Sequence, residues 1–572
     1  MSPYKTQPEL LARIKELEVE LKDIKSRKKY GLIWENKPED VVLQCVENVP
    51  VLRDVKSRKI VTDNSLPNNL LIEGDNYHAL SVLNYTHKGK VDVIYIDPPY
   101  NTGNKSWRYN NDYVEKEDNF RHSKWVSFFE KRLRLSKKLL TDSGIVVVTI
   151  DDYEIGTVRL LMDEIFGEDN RLGLVTIMHN PRGRSDDKYF ATSHEYALFY
   201  SNNIESAVTY KVDLTQEQRE LFSLTDEDSN YRLLPLKRTG SNSTPKERPK
   251  LFFPIYVNAD TLEISTRIKE KGEWIETWPK DGNGNDRVWR WGKEKINDEW
   301  KTELVAKVKG GKVSLFTKDR IKAGRKPKTI WVDPRYDASS HGTVLLETIL
   351  GDRKVFDYPK SLYAVIDTLN ILVKDKKDAL ILDYFAGSGT TGHAVLEMNK
   401  QDGGNRKFIL CANNENKICE EVTYERAKRV IKGYKNKKGE KVEGLGGNLS
   451  YYKTDLVNIE KLHKVSDEAK IKVTYQAGEM IAVREDTLNE VEKNEWWQTF
   501  DGNGKVTAIY FKEDKTKLNE LIALLEKKRL PTVLYIFGWG KNEFRNDYSS
   551  KHIKIEDIPE PILEVYKEIN RL

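Results

Sequence analysis

Two short apolar runs, far apart in the chain, end in a similar way. Residues 91–96 are mostly apolar and lead into Asp97-Pro98-Pro99-Tyr100; residues 379–382 lead, past Asp383 and Tyr384, into Phe385-Ala386-Gly387-Ser388-Gly389-Thr390-Thr391. A continuous apolar run closed by a turn signal predicts a strand buried on both faces. α/β sheets place their ligands at the carboxyl ends of such strands, so the two turns are expected to share one cleft. Similar runs predict strands over 145–150, 174–178, 197–200 and 407–412, and a helix over 417–432.

The pattern changes at both ends of the chain and in its middle. Leu10, Ile14, Leu17, Leu21 and Ile24 alternate four and three apart among Lys and Glu, a heptad stripe too short for a self-sufficient coiled coil. It predicts an assembling or packing helix within residues 1–30. Residues 201–345 have a different texture. They hold Trp274, Trp278, Trp289, Trp291 and Trp300, an Asp281-Gly282-Asn283-Gly284 turn, and basic clusters at 246–250 and 318–328. Residues 287–291 alternate as a strand would, which makes the tryptophans core of a small β-rich unit. After residue 455, strands are predicted at 471–475, 480–483, 505–511 and 532–537, with helices at 517–528 and 561–570.

The first turn offers a carboxylate, a stiff backbone and a ring. Proline fixes φ and has no N–H, so the segment presents acceptors in a fixed pose. That set suits a flat group bearing NH2. An aromatic exocyclic amine is a weak nucleophile because its lone pair is delocalised, and acceptors on both N–H groups draw density back to nitrogen. Asp97 supplies one acceptor through its carboxylate and Pro98 another through its carbonyl. Tyr100, with Asn101 beside it, supplies a face for a base swung out of a duplex.

The second turn excludes one ligand and suits another. Gly387 to Ala394 reads G-S-G-T-T-G-H-A, close to the phosphate loop G-x-x-x-x-G-K-[ST], but His393 replaces the lysine and Ala394 the magnesium-binding hydroxyl. A tight turn open at Gly387 and Gly389 and leading into a helix fits a nucleoside with a charged, phosphate-free tail.

Together, and in this order, the motifs resemble the β-group amino-methylating DNA methyltransferases, in which DPPY precedes FxGxG. The resemblance covers roughly residues 30–455 and is nearest to the modification (Mod) subunits of Type III restriction-modification systems. It implies an α/β, Rossmann-like doubly wound methyltransferase sheet with permuted motif order. The implied organisation is an N-terminal helix (1–30), a catalytic half (31–200), a target-recognition domain (201–345), a cofactor half (346–455) and a C-terminal α/β accessory domain (456–572). The implied cofactor is S-adenosyl-L-methionine. Its binding residues would be Asp75 of Leu71-Ile72-Glu73-Gly74-Asp75-Asn76, Asp97, Pro359 and Lys360 of Phe356-Asp357-Tyr358-Pro359-Lys360, Asp383, Phe385, Gly387, Gly389 and Thr390. For the ribose the candidates are Asn413, with Asn414 and Glu415 as alternatives; these residues read equally as the start of the following helix. Ser143-Gly144 and Ser193-His194-Glu195-Tyr196 resemble the approaches to later strands of the same sheet.

The implied reaction is methylation of N6 of a flipped adenine in double-stranded DNA, with Asp97, Pro98 and Tyr100 catalytic. N4-cytosine methylation uses the same geometry; aspartate at 97, rather than the serine frequent among cytosine enzymes, favours adenine. A non-catalytic DNA-binding subunit on a methyltransferase scaffold is the alternative from another class. The resemblance also implies a second copy of the chain and a separate restriction (helicase-nuclease) subunit as candidate partners. Asn180-Pro181-Arg182-Gly183-Arg184-Ser185 reads as a loop that either touches phosphates beside the flipped base or is merely solvated.

Composition narrows this little. The 572 residues carry 95 Lys and Arg against 90 Asp and Glu, so a DNA-binding surface must be local. Cys45, Cys411 and Cys419 have no zinc or disulfide spacing, which fits a reducing cytoplasm, and no metal site is expected. The polar start and lack of a long apolar span predict neither signal peptide nor membrane anchor.

Overall fold

The computed structural model describes residue 18, and residues 34–570 apart from 103, 110, 111, 116, 117, 186, 352–354, 463 and 540–551. The heptad positions Leu10, Ile14, Leu17, Leu21 and Ile24 lie outside the described residues. The chain forms two compact units, Lys211–Pro327 and the remainder.

The larger unit is built on a ten-stranded mixed sheet. Its strands are β1 (Asn48–Asp54), β2 (Asn68–Glu73), β3 (Val91–Ile96), β4 (Leu140–Ile150), β5 (Arg171–Ile177), β6 (Glu195–Ser201), β7 (Ile330–Trp331), β8 (Leu380–Asp383), β9 (Lys407–Ala412) and β10 (Asn448–Asn458). They lie in the order β1-β10-β2-β9-β8-β3-β4-β6-β5-β7. From β10 to β4 every pairing is parallel, while β1 and β6 run antiparallel to their neighbours. The parallel block is buried on both faces, which is why its strands read as continuous apolar runs.

The order of the strands fixes the site. β3 is followed by β4 on one side; β8, which pairs with β3, is followed by β9 on the other. Consecutive strands thus depart in opposite directions from the β3–β8 pair, leaving a crevice at their carboxyl ends. Helices α1 (Asn76–Thr86), α2 (Arg121–Lys137), α3 (Leu362–Val373), α4 (Thr390–Asp402) and α5 (Tyr424–Lys432) belong to this unit. α1 is N-capped by Asp75, whose carboxylate accepts from Tyr77 N at 2.7 Å. The segment expected to be one helix over 417–432 is α-helical only from Tyr424. Asn416 and Lys417 adopt left-handed φ of 50° and 61°, and a π-helical turn, Ile418–Thr423, intervenes.

The C-terminal segment forms a second sheet of β11 (Asn489–Lys493), β12 (Trp497–Gly502), β13 (Lys505–Tyr510), β14 (Thr532–Phe537) and β15 (Ile553–Ile558), paired in that order. The strands expected at 471–475 and 480–483 are instead helices, Asp467–Gln476 and Gly478–Glu485. Ser466 caps the first of these by accepting from Ala469 N. The buried residues Ala469, Val473, Ala477, Met480 and Ile481 recur at helical spacing. A short β-branched run alternated well enough to hide that longer period. These helices share one apolar core with α1 and β1, and Tyr566 Oη donates to Pro50 O at 2.6 Å.

The smaller unit holds a four-stranded sheet, a three-stranded sheet and a helix, Lys293–Glu303. Residues 287–291 do not form a strand. Val288 and Trp289 are adjacent yet both buried, and only an isolated bridge joins Trp289 to Lys237. Trp289, Trp291 and Trp300 pack in the apolar core of this unit. In the basic cluster starting at 318, Lys318 and Arg320 are paired with Asp226 at 2.6 and 2.7 Å.

Candidate active site

β3 and β8 run in register, Val93 beside Ile381 and Ile94 beside Leu382, so Asp383 stands level with Tyr95 and the Asp97 turn opens just beyond it. At the β3 end, Asp97 accepts from Thr149 Oγ1 at 2.7 Å, and Lys360 Nζ lies 3.2 Å from its Oδ1. The same ammonium donates to Glu195 Oε2 and Tyr100 Oη, and sits 4.7 Å from the Tyr100 ring centroid. Tyr100 Oη donates to Glu195 at 3.0 Å. Burial pushes the Asp97 carboxyl up, against the pull of Lys360 and helped by the Glu195 charge. Glu195 is more deeply buried than Asp97, but Lys360 and His179 outweigh burial and hold it below the usual range. Trp125 Nε1 donates to Pro99 O at 2.7 Å and so pins the proline turn. Pro98 is buried; Asn101, also buried, takes a left-handed φ of 56° and donates to Glu154 Oε1 at 2.6 Å.

Among the described residues, the buried polar atoms Asp151 Oδ2, Glu154 Oε2 and His179 Nδ1 around this edge have no protein hydrogen-bond partner. Asp151 follows β4, and burial pushes its carboxyl up to about 6. Buried groups are rarely left unmatched, so such a set marks a place where something polar is received.

The β8 end is a cradle of backbone. Gly387 and Gly389 have φ of 47° and 77°, the left-handed region that a side chain disfavours. A Cβ at Gly387 would come within 2.9 Å of Phe356 Cζ, which places the Phe356 segment against the turn. Thr423 Oγ1 donates to Gly387 O at 2.6 Å. Arg426, fully buried, donates through Nη1 to Ser388 O, Ser388 Oγ and Thr390 Oγ1 at 3.3, 3.1 and 2.8 Å. Burial pushes its guanidinium down to about 9. α4 begins at Thr390 with no side-chain cap. Asp383 accepts from Phe385 N at 3.0 Å and Thr391 Oγ1 at 2.6 Å, and burial pushes it up to about 7.

A buried ion network joins the Asp75 segment to the end of β8. Arg132, on α2, pairs with Glu39 at 2.7 Å and Asp75 at 3.1 Å and donates to Asn76 Oδ1; Asn76 in turn donates to Tyr384 O at 3.1 Å. Phe385 packs against Phe128 and Phe129 of the same helix.

The structure therefore brings Asp75, Asp97, Pro98, Tyr100, Asn101, Lys360, Asp383, Phe385, Gly387, Gly389 and Thr390 to the carboxyl edge of one sheet. Pro359 precedes Lys360, and its carbonyl backs onto Gly342. Asn413 is exposed just past β9. Asn414, its alternative, is engaged locally, accepting from Glu420 N at 3.2 Å. Thr149, Trp125, Arg132, Thr423 and Arg426 were not anticipated from sequence. Glu195 stood out only as the approach to a strand. Among the described residues, no group of three or more His, Cys, Asp or Glu is placed to hold a metal ion, and no helix is long and apolar enough to cross a membrane.

Comparison with known proteins agrees with this geometry. A family model described as DNA methylase matches residues 91–425. The chain is 33% identical over 440 residues to the Type III restriction-modification enzyme EcoPI Mod subunit of Escherichia phage P1, covering 72% of this chain and 67% of that one. It is 35% identical over 361 residues to the Type II methyltransferase M.KpnI of Klebsiella pneumoniae, covering 63% and 84%. To the Type III restriction-modification enzyme EcoP15I Mod subunit of Escherichia coli it is 26% identical over 460 residues, covering 72% and 68%. With the matched region spanning both turns of the β3–β8 crevice, the chain belongs to the DNA methylase family.

Proposed function

We propose that the protein transfers the methyl group of S-adenosylmethionine to N6 of an adenine swung out of double-stranded DNA. The observation that carries this reading is the β3–β8 pairing, which sets the acceptor turn at Asp97 beside the glycine turn at Gly387. The residues present fit the cofactor. Gly387 and Gly389 add no side chain to the turn, the first N–H groups of α4 have no side-chain cap and suit a carboxylate, and Asp75 and Asp383 offer carboxyl groups to a cationic tail. Bound there, S-adenosylmethionine supplies a methyl on a sulfonium, whose C–S bond breaks as the C–N bond forms.

The chain's own residues orient and polarise. Asp97 accepts one N–H of the target amine and the Pro98 carbonyl the other, localising the lone pair on nitrogen. Tyr100 presents its ring to the base. Lys360 balances the charges of Asp97 and Glu195, so that Asp97 stays an acceptor despite its burial. The proton shed by the methylated nitrogen passes to the Asp97 carboxylate and then to water. Lys211–Pro327 we assign to target recognition, and a separate restriction subunit and a second copy of the chain to its partners. N6 is preferred to N4 of cytosine because position 97 is aspartate.

Incubation with DNA and methyl-labelled S-adenosylmethionine, followed by nucleoside digestion, tests the reading. Label in N6-methyladenosine is expected. Label in N4-methylcytosine would replace the substrate, and unlabelled DNA would overturn the assignment.

A further inference from the structure

Between β5 and β6 the chain makes a closed excursion over the same edge of the sheet. Asn180 N donates to Ser193 O at 3.1 Å and Arg184 N to Thr192 O at 3.0 Å, while Thr192 N donates to Asp187 Oδ2 at 2.8 Å. Gly183 turns the chain with φ of 71°, and a Cβ there would meet Ala191 Cβ at 2.6 Å. Only a glycine lets the two arms come this close. The loop is thus built to hold a shape, and at its tip it exposes Tyr189 by 80% and Phe190 by 88%.

One apolar residue in solvent needs no explanation; two large neighbouring rings on a braced loop do. Basic side chains stand on the same loop, alongside Asp187. Arg182 and Arg184 lie on the opposite arm, and Lys188 Nζ is 5.2 Å from the Tyr189 ring centroid. The base of the loop enters the acceptor cluster directly. Glu195, the first residue of β6, directly follows the loop and accepts from Tyr100 Oη. A third exposed ring, Tyr358, belongs instead to the segment that Phe356 packs against Gly387.

We propose that Phe190, backed by Tyr189, is a wedge that enters the stack of duplex DNA where the target base leaves it, with Arg182 and Arg184 on the flanking phosphates. This rests on the reading of the Asp97 turn as the site of an everted base. Extruding a base costs a few kcal/mol of stacking and pairing, and leaves an apolar gap between its neighbours. A planar side chain without a polar end restacks that gap, and arginines on phosphates fix its position without reading sequence.

The test compares wild type with Phe190→Ala and Tyr189→Ala on two duplexes. Both carry the methylation site mapped by modified-base sequencing; in one, the target base faces an abasic position, so that little pairing opposes its exit. For Phe190→Ala, methylation of the fully paired duplex is expected to fall about tenfold or more, with near recovery on the abasic duplex. Tyr189→Ala should lose less, and Phe190→Trp should keep most of the activity. Cofactor affinity should stay within about twofold of wild type, since the loop holds none of the cofactor residues. Undiminished activity of Phe190→Ala on the paired duplex overturns the wedge, as does an equal loss on both duplexes. Failure of the wild type to methylate DNA would instead strike the underlying functional reading.

Discussion

Lys360 Nζ stands 3.2 Å from Asp97 Oδ1 and donates at the same time to Glu195 Oε2, so one buried ammonium is set against two carboxylates. Three stretches distant in sequence meet at that nitrogen. The ammonium thereby ties Asp97, Glu195 and Tyr100 into one hydrogen-bonded cluster at the carboxyl end of β3.

Lys360→Met should therefore shift the acid limb of activity upward. Burial already raises the Asp97 carboxyl, and Lys360 is the main force opposing it. Without that charge, Asp97 takes up its proton at higher pH and stops accepting from the amine. The acid limb of kcat/KM is expected to move up by about one pH unit or more, with lower activity at pH 7. A profile unmoved from wild type would show that Lys360 does not tune Asp97.

Asp97→Ala should lower methyl incorporation by about 100-fold or more while leaving cofactor affinity largely intact, since it removes an acceptor that matters as charge develops. Tyr100→Phe should do less harm than Tyr100→Ala, because it keeps the ring and gives up only the hydroxyl bonded to Glu195. Radiolabel transfer at wild-type rate by Asp97→Ala would remove this residue from the mechanism.

Asp383 predicts a pH dependence of stability. Its folded carboxyl titrates near 7, against about 3.9 for a free aspartate. Between these values the folded state holds a proton that the unfolded state has lost. The stability linked to this group is thus full below about pH 4 and declines as pH rises to 7, by an amount on the order of a few kcal/mol. Denaturant midpoints at pH 5 and pH 8 should differ less for Asp383→Asn than for wild type. An equal difference would place the origin of the pH dependence elsewhere.

Arg132 predicts a stability defect centred on the Asp75 segment. Its guanidinium is fully buried between Glu39 and Asp75. Removing one member of such a network leaves an uncompensated buried charge, so Arg132→Met should destabilise by about 3–5 kcal/mol. Adding Glu39→Gln should recover part of that loss, which chemical denaturation of the single and double variants would measure. A strictly additive double variant would deny the coupling.

The elements of the parallel block were legible because strands buried on both faces need no partner to declare themselves. The runs 91–96 and 407–412 coincide with β3 and β9, and 379–382 differs from β8 by one residue at each end. Residues 471–483 misled because a few β-branched positions satisfy a period of two as readily as the helical one, and only packing against α1 and β1 chose between them. Residues 287–291 failed for a related reason, as two adjacent residues became core in a unit that offers burial on more than one side.

The sequence by itself determined where the two turns lie and how their backbones are restricted. Paired prolines after an aspartate and glycines before a helix restrict the backbone locally, whatever surrounds them. Tertiary structure alone decided how those turns are completed. Glu195, Thr149, Arg132 and Arg426 act through partners distant in sequence, as far as 165 residues away. A charged or hydroxyl side chain takes on such a role only when burial fixes which partners it can reach, and burial is a property of the packed sheet that no local pattern contains.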